Sequence, residues 1–430
     1  MKIGTIQKTV KYKFPHLVAA TALATTLMVP TASAEPAVEV MHFWTTGGEA
    51  AALNEVRSHV IAQGVTWEDA PVAGGGGDAA RTAMQARIAA GNPPTAMLML
   101  GQNILDWAEL GLLGDVNATA DTEAWSDVLP QAVRDFTEVD GRYVSAPTNV
   151  HRTDMIWASR AAFEAINADI PTSWEEFNAL APRFLDAGIV PLAHGGQAWQ
   201  EAYMFEALAL GVGGSGFYKD ALVSLDDDAL RSDTMVEVFA QMAAIRDTMV
   251  DDNFPGRDWN LATAMVINGE AAMQIMGDWA KGEFTNAGQA AGDDFFCFPV
   301  PRSEDSGFIF LVNSLSFFEQ SDPERLAAQQ VLASAIMEPE VQIAFNIAKG
   351  AIPARTDLDL SALDSCAQET AADFVASDEA GTAVPTFAGT HATGADVVGA
   401  VTDVVTEFFN SNMAAEEGVA LLIDQIAITR

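Results

Sequence analysis

Short apolar runs alternate with longer amphipathic segments through the first third of the chain. Strands are predicted at residues 38–44, 65–72 and 95–100, and helices at 50–63, 79–90 and 103–113. Repeated strand–helix–strand units of this kind predict a parallel sheet that is covered by helices. Glycines 74–77 predict a flexible loop, and Asp78 is predicted to cap the helix that follows it.

The rest of the chain mixes extended and helical patterns. The predicted elements are an extended stretch at 141–157, a helix at 173–187, a mostly helical region at 198–250 broken by the glycine-rich segment 211–216, a strand within 268–279, apolar strands at 308–318, and a helix at 322–337. Pro147 marks a bend or an edge, because proline cannot donate to a strand ladder. With 430 residues and no clean linker, the sequence predicts two interwoven domains.

The first 34 residues have the pattern of a secretory leader. Four lysines precede an apolar run at 17–30, and Ala-Ser-Ala ends at Ala34. This order of parts predicts a signal peptide at 1–34 that is cleaved after about Ala34, and hence a periplasmic mature protein. The apolar run is too short to span a bilayer comfortably, and no other long uncharged apolar run follows it.

Composition narrows the possible partners. A formal net charge of −37 disfavours binding to nucleic acid or to an anionic membrane. The two cysteines, Cys297 and Cys366, are too few for a zinc site. In an exported protein they can form a disulfide, but the sequence alone leaves that pairing open.

Motifs for cofactors and catalysis are missing from the sequence. Glycines 74–77 are not followed by Gly-Lys-Ser/Thr, and neither Gly-x-Ser-x-Gly nor His-Glu-x-x-His occurs. The six histidines show no metal-ligand spacing, and the acidic run at 226–228 lacks the spacing of a calcium loop. We therefore expect no cofactor, no metal and no enzymatic activity.

The end of the first predicted strand carries candidate ligand-binding residues. Phe43 and Trp44 end that strand, and Glu49 lies in the first turn of the next helix. Open α/β proteins bind ligands at the carboxyl ends of their parallel strands. Alternatively, the two aromatic residues belong to the core, and Glu49 only complements the helix dipole.

Similar clusters occur further along the chain. Trp199 follows a His-Gly-Gly-Gln turn, and Trp279 follows Asp278 at a predicted strand end. Aromatic rings pack against the C–H faces of a sugar, and carboxylates accept hydrogen bonds from its hydroxyl groups. Lys349 and His391 are candidate hydrogen-bond donors. A glycosidase that uses Glu49 and Asp278 as its two carboxyls is the alternative of another class.

Several motifs together carry a resemblance that covers nearly all of the mature chain. They include FWTTGGE at 43–49, YVSAPTNVHR at 143–152, NGEAAMQIMGDWA at 268–280 and KGAIPAR at 349–355. The sequence resembles the extracellular solute-binding proteins of bacterial ABC sugar importers (family 1), and within them the glucose/mannose-binding group.

This resemblance implies an α/β periplasmic binding protein fold of two lobes joined by a hinge, with the ligand cleft between them. The lobes would be discontinuous: 35–147 plus about 300–350 in the first, and 148–299 plus about 351–430 in the second. It also implies that Cys297 and Cys366 form a bridge. The expected partners are a monosaccharide and the membrane permease subunits of the transporter, and the protein itself is expected to be a monomer.

The resemblance carries over the ligand-binding residues one by one. Its paired tryptophans match Phe43 and Trp44, and its acidic and basic contacts match Glu49, Asp278 and Lys349. Further matches, less closely defined, are His151, Trp279 and His391, and Trp199 joins the candidate site on its position after the turn.

Two positions depart from the pattern of the group. Phe43 stands where relatives have tryptophan, and Leu100 stands where they place a lysine or histidine. Gln102 or Asn103 is a candidate to replace the missing polar contact. We therefore expect a periplasmic protein that binds a monosaccharide such as glucose, with the exact sugar left open. A protein that presents its ligand to a chemoreceptor shares this chemistry and differs only in its partner.

Overall fold

The computed structural model describes residues 36–74, 77–302 and 307–430. The predicted signal peptide at 1–34 lies outside the described residues. Within the described ranges, no helix has both the length and the apolar character needed to cross a membrane.

Strands and helices alternate strictly only up to residue 109 of the described chain, and runs of consecutive helices or strands follow. The strands are β1 Ala37–His42, β2 Thr66–Pro71, β3 Ala96–Leu100, β4 Glu138–Val139, β5 Arg142–Tyr143, β6 Ser145–Arg152, β7 Met155–Ser159, β8 Val190–Leu192, β9 Ala271–Ile275, β10 Phe295–Pro299, β11 Phe308–Phe317 and β12 Ala383–Pro385. The helices are α1 Gly47–Ala62, α2 Asp78–Ala89, α3 Gln102–Glu109, α4 Asn117–Thr122, α5 Trp125–Val128, α6 Gln131–Arg134, α7 Arg160–Ala165, α8 Trp174–Asp186, α9 Ala198–Tyr218, α10 Asp227–Leu230, α11 Asp233–Thr248, α12 Trp259–Ile267, α13 Ala280–Asn286, α14 Pro323–Met337, α15 Pro339–Lys349, α16 Ser365–Glu379, α17 Ala395–Phe409 and α18 Ala415–Thr429.

One local prediction was wrong, and another was confirmed. Asp78 does not cap α2, because Gly77 occupies the N-cap position with φ +84° and Asp78 is already the first helical residue. The glycine-rich segment 211–216 interrupts its helix, as predicted. Two helical parts of α9 meet at a kink at Gly214, whose φ of 76° is accessible to glycine without strain.

The first sheet contains six strands in the order β12-β11-β3-β1-β2, with β6 paired to the other side of β11. Strand β1 pairs in parallel with both β2 and β3, as the alternating pattern predicted. Strand β11 runs antiparallel to β3 and β6. The register between β11 and β6 shifts between Asn313 and Ser314, beside Pro147, where the proline was predicted to mark a bend or an edge.

The second sheet has four strands in the order β10-β7-β9-β8. Strand β7 is antiparallel to β9 and β10, whereas β8 is parallel to β9. Apolar residues of α8, α9, α11 and α17 pack with those of β7 and β9 in a core of their own. A separate core lies under the first sheet, where β1, β3 and β11 pack with α1, α14 and α15.

The described chain passes between these two bodies at three places. The first crossing joins β6 to β7 through Thr153 and Asp154, the second joins β10 to β11, and the third leads from β12 to α17. The lobe boundaries stay a prediction. Because β12 pairs with β11 and Phe374 of α16 packs in the core of the first sheet, we propose that residues 360–385 belong to the first lobe.

Cys297 of β10 and Cys366 of α16 form a disulfide, with their Cα atoms 6.1 Å apart. The pairing that the family resemblance implied is therefore confirmed. It joins a strand of the second sheet to a helix that packs on β11 of the first. The bond thus links the two bodies near their crossings.

Candidate functional site

A small cavity, here called the aromatic cavity, has a volume of about 70 Å³ and takes its lining from both bodies. Its aromatic wall consists of Phe43, Trp44, Trp199, Tyr203, Trp259 and Trp279. The other lining residues are Thr45, Thr46, Glu49, Leu100, His151, Leu311, Asn313 and Lys349. A mostly apolar cavity with a few convergent polar groups has the composition of a small-molecule site.

Trp44 is held in the cavity wall by α15. Strand β1 ends at His42, and Trp44 follows in the connection to α1 with only 2% of its surface exposed. Its ring centroid lies 5.5 Å from that of Phe345, and Lys349 Nζ lies 5.6 Å from the Trp44 centroid. An ammonium at this distance from an indole is within the range of a cation–π interaction.

The two carboxylate oxygens of Glu49 contact different partners. Its Oε2 accepts hydrogen bonds from the backbone N–H groups of Thr45 and Thr46 at 3.1 and 3.3 Å, which closes the first turn of α1. Its Oε1 lies 3.5 Å from Lys349 Nζ at the end of α15. Burial lowers the pKa of Lys349, and the nearby charge of Glu49 opposes that shift.

Asp278 is joined to His151 rather than exposed in the cavity. Its Oδ1 pairs with His151 Nδ1 in a short hydrogen bond, and its Oδ2 accepts the backbone N–H of Arg152 at 3.0 Å. A carboxylate at Nδ1 favours the tautomer that carries the proton there. Burial lowers the pKa of His151, although Asp278 opposes the shift, so we take the ring as neutral.

The other ring nitrogen of His151 has no partner among the described residues. Nε2 is a buried polar atom without a hydrogen bond, and His151 lines the aromatic cavity. In the tautomer set by Asp278, this atom is an acceptor for the hydroxyl group of a ligand. The hydroxyl of Thr46, which also lines the cavity, is likewise buried and unpaired. Because buried polar atoms are normally hydrogen-bonded, both point to an absent partner.

The opposite wall is a group of rings from α9 and the turn after β9. The centroid of Trp279 lies 5.3 Å from that of Tyr203 and 6.4 Å from that of Trp199, and Trp199 lies 5.9 Å from Tyr203. Trp279 also meets the His151 ring edge-on at 5.2 Å. Mutual packing of this kind fixes ring orientations before a ligand arrives.

Seven of the ten residues predicted for the site line the cavity: Phe43, Trp44, Glu49, His151, Trp199, Trp279 and Lys349. Three do not. The carboxylate oxygens of Asp278 are hydrogen-bonded to His151 and to the backbone N–H of Arg152. The Gln102 amide donates to Asp106 at 3.1 Å, on the surface of α3. Both ring nitrogens of His391 meet backbone groups, the N–H of Val312 at 3.1 Å and the carbonyl of Gly389 at 2.9 Å.

Sequence reasoning missed several lining residues, above all Tyr203, Trp259 and Asn313. Tyr203 and Trp259 lie within helices, where aromatic residues usually indicate core. One signal was available, because Tyr203 is four residues after Trp199 and therefore on the same face of α9. Asn313 lies inside the long apolar strand β11, and its amide donates to Asn149 Oδ1 at 3.3 Å.

A second, larger cavity of about 250 Å³ adjoins the first. Four residues border both cavities: Phe43, Leu100, Trp199 and Tyr203. In the part of the chain that the structure describes, no group of three or more His, Cys, Asp or Glu side chains could hold a metal ion.

These features define a class of protein, one that encloses a small polar ligand between two α/β bodies. The chain belongs to the bacterial extracellular solute-binding proteins, whose family model matches residues 63–331. Members of this class bind a substrate and are not enzymes, as predicted, and the glycosidase alternative is set aside.

Two relatives match over nearly their whole length. A protein of Brucella melitensis named "Probable sugar-binding periplasmic protein" is 45% identical over 398 residues, which is 92% of this chain and 94% of the relative. A protein of Rhizobium meliloti with the same name is 45% identical over 404 residues, or 94% of this chain and 97% of the relative.

Solved structures share the fold at low identity. A chitin oligosaccharide binding protein superposes with a TM-score of 0.77 at 18% identity, covering 91% of this chain and 98% of that one. The maltose-bound MalE3 of T. maritima gives 0.75 at 17% identity, covering 92% and 100%. The predicted two-lobed α/β fold is therefore confirmed.

Proposed function

We propose that this protein binds a monosaccharide, glucose or a close relative, in the aromatic cavity and delivers it to the membrane permease of an ABC importer. The observation that carries the proposal is the composition of the cavity: six aromatic rings surround a few buried polar groups, two of which have unpaired atoms. The names of both Brucella and Rhizobium relatives support a sugar as the ligand.

The size of the cavity favours a single sugar ring. Its volume of about 70 Å³ is small beside the ~300–1,000 Å³ of pockets for drug-sized ligands. Trp44 and Trp279 would cover the two faces of the ring. Glu49 would accept hydrogen bonds from hydroxyl groups of the sugar. Lys349 would donate hydrogen bonds to its ring or hydroxyl oxygens, and His151 Nε2 would accept a hydrogen bond from one further hydroxyl group.

Asp278 acts on the sugar through His151 in this proposal. Its two oxygens already hold the imidazole and the Arg152 N–H, so it fixes which ring nitrogen faces the cavity. We propose the same indirect position for His391, whose ring nitrogens are both bound to backbone groups. Gln102 stays a predicted contact only for a ligand that reaches α3.

We also propose that the protein is exported, that it is a monomer and that its partner is the membrane permease. In a hinge-closing receptor the sugar stabilises the closed form, and the permease selects that form. The leader pattern supports a periplasmic location, and the net charge of −37 argues against nucleic acid as a partner.

The test is calorimetric titration of the purified protein with D-glucose, other monosaccharides and disaccharides. We expect heat with one or more monosaccharides and weaker binding of disaccharides. Trp44→Ala should abolish the heat, whereas Trp125→Ala is the matched control, since Trp125 is fully buried in the first core and does not line the cavity. Binding only to disaccharides, or equal loss in both variants, would contradict the proposal.

A further inference from the structure

Glu206 is a buried carboxylate of α9 that lies away from the aromatic cavity. It is 0% exposed, and it forms no ion pair with any of the described residues. Ionised carboxylates are rarely buried unless several donors or a cation satisfy them.

Of the five hydrogen-bond donors that the described residues offer Glu206, four lie on or beside a crossing between the two bodies. From the first crossing, the Thr153 hydroxyl donates to Oε1 at 2.7 Å. From the third crossing, the backbone N–H groups of Phe387 and Ala388 donate to Oε2 at 2.6 and 2.9 Å, and the Thr386 hydroxyl lies 2.9 Å from Oε1.

A tyrosine of the same helix completes this arrangement. The Tyr218 hydroxyl lies 3.2 Å from Glu206 Oε2 and 3.1 Å from the carbonyl of Pro385 at the end of β12. The same hydroxyl accepts the N–H of Phe387 at 2.9 Å. One carboxylate therefore links a helix of the second body to two separate chain crossings.

Asp154 makes the equivalent connection to the second crossing. Its backbone carbonyl accepts the N–H of Val300, and its Oδ1 accepts the N–H of Ile309 at 3.2 Å. Thr153 and Asp154 are neighbours, so the two carboxylates together connect all three crossings.

The geometry points to Glu206 as a positioning residue that couples the first and third crossings, so that the two lobes open and close about one shared hinge. This inference rests on the proposed closure of the lobes around a ligand. A hinge absorbs its motion in a few residues, and a common acceptor restricts which combinations of backbone angles those residues can adopt. Without it, each crossing would bend independently.

Glu206→Gln is the informative substitution. It keeps the size of the side chain but leaves one acceptor oxygen in place of two. With that oxygen towards the N–H groups of Phe387 and Ala388, the NH₂ group meets the hydroxyls of Thr153 and Thr386, which donate to Oε1 in the wild type. Glu201→Gln is the matched control. Glu201 is also buried on α9, but its carboxylate accepts from Asn410 of the second body and touches no crossing.

Thr153→Val keeps the inference testable if Glu206→Gln does not fold. It is nearly isosteric, removes only the link from the first crossing and leaves the bonds to the third crossing intact. A role in stability alone would make all three variants less stable to a similar degree. Only a coupling role would change the motion of the lobes in two of them.

The experiment measures the distance between the lobes by pulsed electron paramagnetic resonance. Spin labels are placed at Glu55→Cys on α1 and Glu237→Cys on α11, two exposed positions, while both native cysteines stay in their disulfide. Without sugar, we expect a broader distance distribution for Glu206→Gln and Thr153→Val than for wild type, and an unchanged one for Glu201→Gln.

A second set of measurements adds D-glucose, with about tenfold weaker binding expected for Glu206→Gln. Wild-type distributions in both Glu206→Gln and Thr153→Val would overturn the inference. A broadened distribution in Glu201→Gln equal to theirs would also overturn it. Failure of glucose to bind the wild type would count against the proposed ligand alone, because the sugar-free distances do not depend on it.

Discussion

Lys349 Nζ lies 3.5 Å from Glu49 Oε1, and both side chains belong to the wall of the aromatic cavity. Lys349 comes from the end of α15 and Glu49 from the first turn of α1, so the pair joins two helices at the site. Their side chains are only 2% and 11% exposed. In such surroundings the loss of one partner leaves a buried charge that is costly.

Lys349→Met should therefore weaken both binding and stability. It removes the charge while keeping the length of the side chain, and we expect a loss of about 3 kcal/mol in the free energy of unfolding. Urea unfolding and calorimetry with D-glucose measure the two effects. In Glu49→Gln/Lys349→Met the unpaired charge is gone, so stability should largely return while binding does not. Wild-type affinity of Lys349→Met for glucose would contradict the assigned site.

His151 and Asp278 offer a test of direct against indirect contact. If Asp278 acts by orienting His151, Asp278→Asn should weaken glucose binding by about 10- to 100-fold in the wild type but have little effect in the His151→Ala background. If Asp278 touches the sugar itself, as the sequence predicted, its loss should weaken binding in both backgrounds. Calorimetry on the four members of this double-mutant cycle separates the two cases.

The sequence predicted those parts of the site that local rules determine. A strand end, a glycine turn and a first-turn carboxylate place Phe43, Trp44 and Glu49 together without reference to the rest of the fold. The approach of Lys349 to Glu49 depends on how α1 packs against α15, which no local pattern contains. There the family resemblance, rather than spacing, supplied the residue.

Two predicted contacts, Gln102 and His391, do not line the aromatic cavity, and the causes are equally physical. Gln102 was predicted to contact the ligand, but Asp106 lies one helical turn away and accepts its amide hydrogen. His391 reaches the interlobe region but is occupied by the backbone of β11 and of its own turn. Sequence position indicated that these residues are near the site, whereas competing hydrogen-bond partners determine where their side chains point.

The disulfide provides a prediction about stability. Cys297 and Cys366 are separated by 69 residues, and closing a loop of that length stabilises the fold by about 4 kcal/mol in the chain-entropy model. Cys297→Ser/Cys366→Ser should lose up to that amount in urea unfolding. Adding reductant to the wild type should reproduce the loss, and the double variant should be insensitive to reductant. Equal stability of all four samples would show that the bond contributes nothing.

Glu206 should give the protein an unusual dependence of stability on pH. Burial raises the pKa of this carboxyl from 4.5 to about 7, against the opposing effect of its hydrogen bonds from Thr153 and the third crossing. Among the described residues, Tyr203 and Tyr218 of α9 are its titratable neighbours, and neither of them supplies a positive charge.

A pKa that is higher in the folded state than in the unfolded state means that the folded protein holds the proton more tightly. The resulting stabilisation is complete below about pH 4.5 and is lost as the pH rises through about 7. Between these limits we expect the stability of the wild type relative to Glu206→Gln to fall by about 3 kcal/mol. Urea unfolding of both proteins at pH 5, 6, 7 and 8 measures this difference. A difference that stays constant across the series would show that Glu206 is ionised throughout, held in that form by its five donors. A difference that falls would show that protonated Glu206 stabilises the folded protein and that this contribution is lost as the pH rises.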